Sequence, residues 1–139
     1  MKVHERKNFM EQVAEAAVRD WKERHICLPS LVIALAAEGT DFGKQADYVE
    51  KNCLFLRRYD GIKQHKDFTE AVRSHNNYLL TWRKPEQKIP NWELLIGKQH
   101  YILAVQYLQE AEYPYCDEAD FEKKMVELIE RYDLSEYDD

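Results

Sequence analysis

A run of apolar residues behind a single proline constrains this fold more than any other feature of the chain. Residues 31–37 read LVIALAA, and Pro29 stands just before them, where proline suits the first turn of a helix. A helix that is apolar on every side has no face for water, so other elements must enclose it. The sequence therefore predicts a central buried helix with the rest of the chain packed around it.

Apolar residues recur at helical spacing in four further segments. The stripes are Phe9, Val13, Ala16, Ala17 and Trp21; Phe68, Ala71, Val72, His75, Tyr78 and Leu79; Leu95, Ile102, Val105 and Leu108; and Phe121, Met125, Leu128, Ile129 and Tyr132. Each stripe predicts an amphipathic helix, with Asn8, Asn91 and Asp117 as candidate N-caps. Residues 44–51 are compatible with one more short helix and residues 54–56 with a short strand. The pattern predicts an all-α domain of five or six helices.

Length and composition favour one domain over residues 1–139, with an acidic tail at 133–139. A chain of 139 residues with 45% apolar content can bury one core, and four glycines and four prolines are few for a loop-rich all-β fold. No apolar run approaches the ~20 residues that span a bilayer. No secretion-type segment follows the charged N-terminal residues, so the expected location is the cytoplasm, with no membrane partner.

The cysteines and histidines predict neither a metal site nor a cofactor. Cys27, Cys53 and Cys116 cannot all pair with one another, and their spacings match no metal motif, so each is interpreted as a small core residue. None of the five histidines belongs to a zinc-type i, i+4 pattern. His75 lies on a helical stripe and is predicted to be a hydrogen-bonded core residue.

Residues 28–43, LPSLVIALAAEGTDFG, resemble the signature of bacterial N-acetylglucosaminidase domains, the family 73 glycoside hydrolases. The family pattern is roughly L-P-S-x-x-x-A-Q-A-x-x-E-S-x-W-G. When the final glycines are aligned, Phe42 takes the place of the Trp and Thr40 that of the Ser. Gly39 takes the place of the Glu that serves as the catalytic acid in the family.

The resemblance extends over most of the chain in five ordered pieces. Residues 9–21 resemble the opening helix, NCLF at 52–55 resembles N-N-L-F, and residues 68–79 are similar to a helix with an E-S-x-x-D-H core. AVQYLQEAEY at 104–113 is similar to A-A-K-A-L-Q-K-A-G-Y, and residues 121–138 resemble the closing helix and tail. The resemblance implies a lysozyme-like glucosaminidase fold with a sugar groove, lined by Thr40, Phe42, Phe55, Tyr59, Tyr113 and Tyr115.

Two departures from the family pattern bear on catalysis. Glycoside cleavage needs a positioned carboxylic acid, and Gly39 has none to offer; Glu38 or Asp41 would have to replace it. The β-lobe that the family inserts before its third conserved piece is shortened here to residues 56–66. The leading hypothesis is a catalytically degenerate domain that binds without cleaving, and the alternative is an active peptidoglycan hydrolase that uses Glu38. A non-cleaving sugar binder is a third reading.

Charge is distributed unevenly, which suggests a surface for a partner. Residues 57–98 carry nine Lys/Arg against five Asp/Glu, whereas residues 99–139 carry three against twelve, within a total net charge of −6. The candidate partner surface comprises Arg57, Arg58, Lys63, Lys66, Glu118, Asp120 and Glu122. Overall acidity argues against non-specific nucleic-acid binding, so the expected partner is a protein or ribonucleoprotein, or peptidoglycan glycan if activity persists. An inhibitor from a phage or mobile element, of the anti-CRISPR type, would fit these features.

Overall fold

The computed structural model describes residues 3–45, 50, 54, 64–81, 100–110 and 120–138, and these residues form helices and no strands. The five α-helices are α1 (Val3–Arg24), α2 (Pro29–Thr40), α3 (Phe68–Thr81), α4 (His100–Glu110) and α5 (Phe121–Arg131). A 3-10 helix, Leu134–Asp138, follows α5. The all-α prediction is confirmed for this part of the chain. The short helix and strand considered at 44–51 and 54–56 lie almost wholly outside it.

Helix α2 is the centre of the fold. Every residue from Leu31 to Ala37 is buried, and the side chains of Leu31 and Ile33 have no exposed surface. Helices α1, α4 and α5 and the 3-10 helix all contact α2, so it is covered from several sides. Full burial of a Leu or Ile side chain stabilises a fold by about 1.5–3 kcal/mol. The expectation of a central enclosed helix is confirmed.

A carboxylate from the far end of the chain caps the N-terminus of α2. Pro29 occupies the first turn, as predicted, but Leu28 at the cap position makes no side-chain hydrogen bond. Instead the Ser30 backbone N–H donates to Asp138 Oδ1 at 2.7 Å, and the Ser30 hydroxyl donates to Oδ2 at 2.6 Å. Both residues are buried. A negative charge here also interacts favourably with the helix dipole, so the acidic end of the chain is an integral part of the core.

The C-terminus of α2 ends in three consecutive residues with positive φ. Asp41, Phe42 and Gly43 have φ of 50°, 58° and 81°, and the Phe42 N–H donates to the Ala37 carbonyl at 2.8 Å. The helix continues through Gly39 and ends at Thr40. A glycine lowers helix propensity by only about 1 kcal/mol relative to alanine, so burial of the preceding apolar run carries the helix past it.

Two other helix boundaries differ from the sequence prediction. Helix α1 begins at Val3, so Asn8 lies inside it; the charged first turn includes Glu5, which suits a helix N-terminus. Helix α5 begins at Phe121 after Asp120, whose side chain makes no capping hydrogen bond. The proposed caps Asn91 and Asp117 lie outside the described residues. None of the helices in the described ranges combines the length and apolarity of a membrane span.

We expect Asp138→Asn to lower the free energy of unfolding by about 1–3 kcal/mol, because two charge-assisted hydrogen bonds at a buried site become neutral ones. The matched control is Asp133→Asn, which makes the same chemical change at an exposed residue with φ 54°, a conformation that Asn tolerates. Urea denaturation followed by circular dichroism measures both. Equal stability of the two variants would contradict the capping role of Asp138.

Candidate functional site

Gly39, which the resemblance aligns with the family's catalytic acid, packs against the backbone of Leu54. Gly39 is buried. A Cβ atom added to it would lie 3.1 Å from the carbonyl oxygen of Leu54, a residue that is 1% exposed. That separation is shorter than an ordinary van der Waals contact between carbon and oxygen. The last turn of α2 therefore packs directly against the chain at Leu54, and any side chain at position 39 would have to displace this carbonyl by a few tenths of an ångström.

The Thr40 hydroxyl forms hydrogen bonds within the protein, whereas the resemblance predicted that Thr40 lines a groove. It is 1% exposed, and its hydroxyl donates to the Ala36 carbonyl at 2.8 Å and accepts from the Gly43 backbone N–H at 2.9 Å. A hydroxyl that donates and accepts within the protein, on a residue with almost no exposed surface, is not presented to a sugar. Thr40 instead fixes the turn that ends α2.

Phe42 belongs to a cation–aromatic cluster between α1, the end of α2 and the end of α5. Its ring is half-buried and meets the Tyr132 ring edge-on, with centroids 5.9 Å apart. The Arg6 guanidinium lies 4.6 Å from the Phe42 centroid, and Arg6 Nη1 donates to the Tyr132 hydroxyl at 3.2 Å. Such contacts stabilise by about 0.5–2 kcal/mol. Phe42 thus packs three segments together.

Glu38 and Asp41, the two candidate substitute acids, lie in different surroundings. Glu38 is half-buried and lines a cavity of about 190 Å³ with Lys124, Glu127, Leu128 and Arg131 of α5. Asp41 is exposed in the turn that ends α2. Glu38 therefore faces α5, whereas Asp41 faces solvent beyond the helix end.

The remaining sequence-predicted residues divide into described and undescribed groups. Lys66 is exposed just before α3, and its backbone N–H donates to Glu70 Oε2 at 2.8 Å. Asp120 is exposed and pairs with Lys124 at 3.7 Å, and Glu122 accepts from Gln106 Nε2 at 2.9 Å. Outside the described residues lie Phe55, Arg57, Arg58, Tyr59, Lys63, Tyr113, Tyr115 and Glu118. Asp120 and Glu122 thus come together at the start of α5.

A groove that sequence reasoning missed lies between α4 and α5. Its volume is about 470 Å³, and its lining residues are Ile102, Gln109, Asp120, Glu122, Lys123 and Val126. We call it the α4–α5 groove. The half-buried Ile102 and Val126 form its apolar part, and Asp120, Glu122 and Lys123 its charged rim. Its sequence signal is Val126, an apolar residue that lies off the predicted stripe of α5, whereas Ile102 belongs to the predicted stripe of α4.

A buried carboxylate joins α1 to α3. Asp20 is 2% exposed; it accepts from Arg24 Nε at 2.7 Å and Nη2 at 3.1 Å, and from Asn76 Nδ2 at 2.7 Å. Arg73 lies 3.7 Å from Asp20 and donates to Glu23 at 2.6 Å. These partners occupy the oxygens of Asp20, so this carboxylate holds the two helices together and is not available as a general acid or base.

Two buried titratable groups are shifted toward their neutral forms. Burial lowers the pKa of His75 to about 4, although its hydrogen bond to Asn76 and the charge of Asp20 act in the opposite direction. Burial raises the pKa of the Cys27 thiol, and the charges of Asp138 and Asp20 add to the effect. The prediction that His75 is a hydrogen-bonded core residue is confirmed. Cys27 is a buried, unreactive thiol, as its sequence context suggested.

Comparison with known proteins leaves the resemblance to glucosaminidases as a proposal. No family model, no curated protein and no solved structure matches the chain. Among the residues that the structure describes, no cluster of His, Cys, Asp and Glu could hold a metal ion.

We expect Gly39→Glu to lower the free energy of unfolding by at least about 2 kcal/mol, because a buried site would have to accept both volume and charge. Gly39→Ala should give none of the roughly 1 kcal/mol gain that alanine brings to a helix interior, since its Cβ would crowd Leu54. Gln12→Glu on the exposed face of α1 is the control for the added charge. A clearly stabilised Gly39→Ala protein would show that position 39 is open.

We expect the neutral, buried His75 to make the fold acid-sensitive. Its pKa rises from about 4 when folded to 6.5 when unfolded, so the unfolded state takes up the proton first as the pH falls. The stabilising contribution is complete above 6.5 and is lost between 6.5 and 4, by about 2–3 kcal/mol at pH 4.5. Urea denaturation at pH 7 and 4.5, compared with His75→Gln, measures this loss. An imidazole NMR midpoint above pH 6 for His75 would contradict it.

Proposed function

We propose that this chain is a glucosaminidase-like domain of lysozyme type that has lost catalysis and acts as a binding or inhibitory protein. The observation that carries the proposal is the close approach of the Leu54 carbonyl to Gly39. A retired catalytic position would be expected to accumulate packing that an acid side chain could not tolerate. The 3.1 Å separation supports this reading, because any side chain at position 39 would have to displace the Leu54 carbonyl.

The surroundings of the substitute acids support the same proposal. The general acid of a glycosidase is typically a carboxyl group in an apolar pocket, with a second carboxylate across the scissile bond. Glu38 instead shares a small cavity with Lys124 and Arg131. Asp41 is exposed at a helix end. Neither environment is the apolar pocket of a general acid.

The proposed partner is a protein or a ribonucleoprotein inside the cell. Net charge of −6 opposes binding to bare nucleic acid. The last 41 positions carry twelve acidic residues; Asp138 is buried, but others such as Asp120, Glu127 and Asp133 are exposed to a basic partner. A small acidic domain of this kind is suited to occupying a basic surface on a host defence protein. A phage or mobile-element origin belongs to the proposal on the same grounds.

One observation favours the alternative, an active peptidoglycan hydrolase that uses Glu38. Glu38 and Glu127 line the same cavity, so that two carboxylates are present at one site. Paired carboxylates are the minimum equipment for glycoside hydrolysis. The two readings differ in whether any cell-wall cleavage occurs.

We expect the purified protein to leave the turbidity of a cell-wall suspension unchanged, because neither Glu38 nor Asp41 lies in the apolar pocket of a general acid. Gly39→Glu should also fail to lyse, since the missing group cannot be accommodated beside Leu54. An active glucosaminidase assayed in parallel confirms that the substrate is competent. Wild-type lysis that Glu38→Gln abolishes, while the exposed-site control Glu15→Gln retains it, would overturn the proposal in favour of the hydrolase.

A titration with soluble muropeptides separates protein binding from sugar binding. The non-cleaving sugar binder predicts a saturable change in Trp or Tyr fluorescence, whereas the proposed protein binder predicts a flat response.

A further inference from the structure

We propose that the interface between α1 and α3 is a pH-sensitive joint, in which proton uptake by His75 releases α3 from α1 while α2 and the helices that cover it stay folded. The inference does not depend on the proposed function. It rests on a chain of hydrogen-bonded side chains that crosses the interface, formed by Asp20 and Arg24 of α1 and by His75 and Asn76 of α3. Asp20, His75 and Asn76 are buried.

Asp20 determines, through Asn76, which nitrogen of His75 carries the proton. An ionised carboxylate only accepts hydrogen bonds, so Asn76 Nδ2 must donate to Asp20 Oδ2, at 2.7 Å. The other end of the same amide, Asn76 Oδ1, lies 2.9 Å from His75 Nδ1 and accepts from it. Neutral His75 therefore has its proton on Nδ1, and a second proton has to be added at Nε2.

A second proton would place a charge inside the protein. His75 has no exposed surface, and this burial lowers its pKa to about 4, against the opposing effects of Asn76 and Asp20. Asp20 offers limited compensation to an imidazolium, because it is already paired with Arg24 at 2.7 Å and lies 3.7 Å from Arg73. The charged form is stabilised once water reaches the ring, so proton uptake favours the opened interface.

The other charged groups at this interface balance one another. Asp20, Glu23 and Arg24 face α3 from α1, and α3 contributes Arg73, which pairs with Glu23 at 2.6 Å. Two acids and two arginines have no net charge, so protonation of His75 gives these groups a net charge of +1. His25, directly after α1, is the nearest other imidazole along this part of the chain, and a test has to separate its titration from that of His75.

Release of α3 would leave the described covering of α2 in place. Helix α2 is covered by α1, α4, α5 and the 3-10 helix, whereas α1 is the described helix with which α3 makes its main contacts. Near the start of α3 these contacts include the edge-on pair of Phe9 and Phe68, with centroids 6.2 Å apart. An element held through one main interface opens at a lower free energy than the core does. Separation of α3 can therefore precede unfolding of the whole domain.

Native-state hydrogen exchange, resolved by residue on the full chain, measures the opening of α3 and of α2 separately. At low urea concentrations we expect the opening of α3 to depend less on urea than that of α2, because it exposes less surface. The opening constant of α3, corrected for the intrinsic exchange rate, should rise about 50-fold from pH 7 to pH 4.5. This rise follows from a pKa of about 4 for closed His75 and of 6.5 for exposed His75.

His75→Asn removes the titrating ring and keeps a donor for Asn76, because its amide nitrogen is bonded to the same carbon position as Nδ1 of His75. This variant should open to the same extent at both pH values. The matched control is His25→Asn, which removes the neighbouring imidazole at a φ of 52° that Asn tolerates. The control should keep the rise of about 50-fold, and circular dichroism checks that each variant is folded.

Three results would overturn the proposal. Equal opening free energies and urea dependences for α3 and α2 would mean that acid unfolds the domain as one unit. A rise that persists in His75→Asn, or that His25→Asn abolishes, would assign the pH dependence to another group. The third result needs no variant: ¹⁵N NMR of the wild-type imidazole at pH 7 should show a protonated Nδ1 and an unprotonated Nε2 for His75, and the opposite tautomer would contradict the chain through Asn76.

Discussion

Burial of α2 is the constraint from which the rest of the structure follows. Its run of apolar residues offers no side to water, so α1, α4, α5 and the 3-10 helix must cover it. Because α2 is enclosed, both of its ends also contact other parts of the protein. Its N-terminal N–H groups cannot reach water and need partners inside the protein. Asp138 accepts from the Ser30 N–H, and the Leu28 carbonyl accepts from those of Leu31 and Val32. At the other end, Gly39 lets the chain at Leu54 approach closely.

The same enclosure bears on function. A glycosidase active site needs an open trough beside its acid, whereas the end of α2 is packed against Leu54 on one side and tied by Thr40 to the following turn. Phe42, which the sequence assigned to a groove, is clamped between Arg6 and Tyr132. On the outer face of α4 and α5, by contrast, the apolar Leu103 and the acidic Asp120 are exposed.

Local periodicity predicted much of the fold because it reports local physics. The stripe through Phe9, Val13 and Trp21 and the all-apolar run after Pro29 correspond to helices in the structure. Contacts between distant residues left no such trace. Ser30 and Asp138 are 108 positions apart, and nothing near either residue distinguishes this aspartate from its acidic neighbours. The fit of Gly39 against Leu54 likewise depends on tertiary packing, so the sequence shows which residue stands at position 39 but not what packs against it.

The close packing of Gly39 against Leu54 is tested most directly by NMR on the wild-type protein. The account predicts nuclear Overhauser effects between the Gly39 Hα protons and protons of Leu54. It also predicts that a soluble paramagnetic relaxation agent leaves the Gly39 signals sharp. Broadened Gly39 signals with no contact to Leu54 would mean that an open cleft lies where this structure has backbone, and would contradict the account.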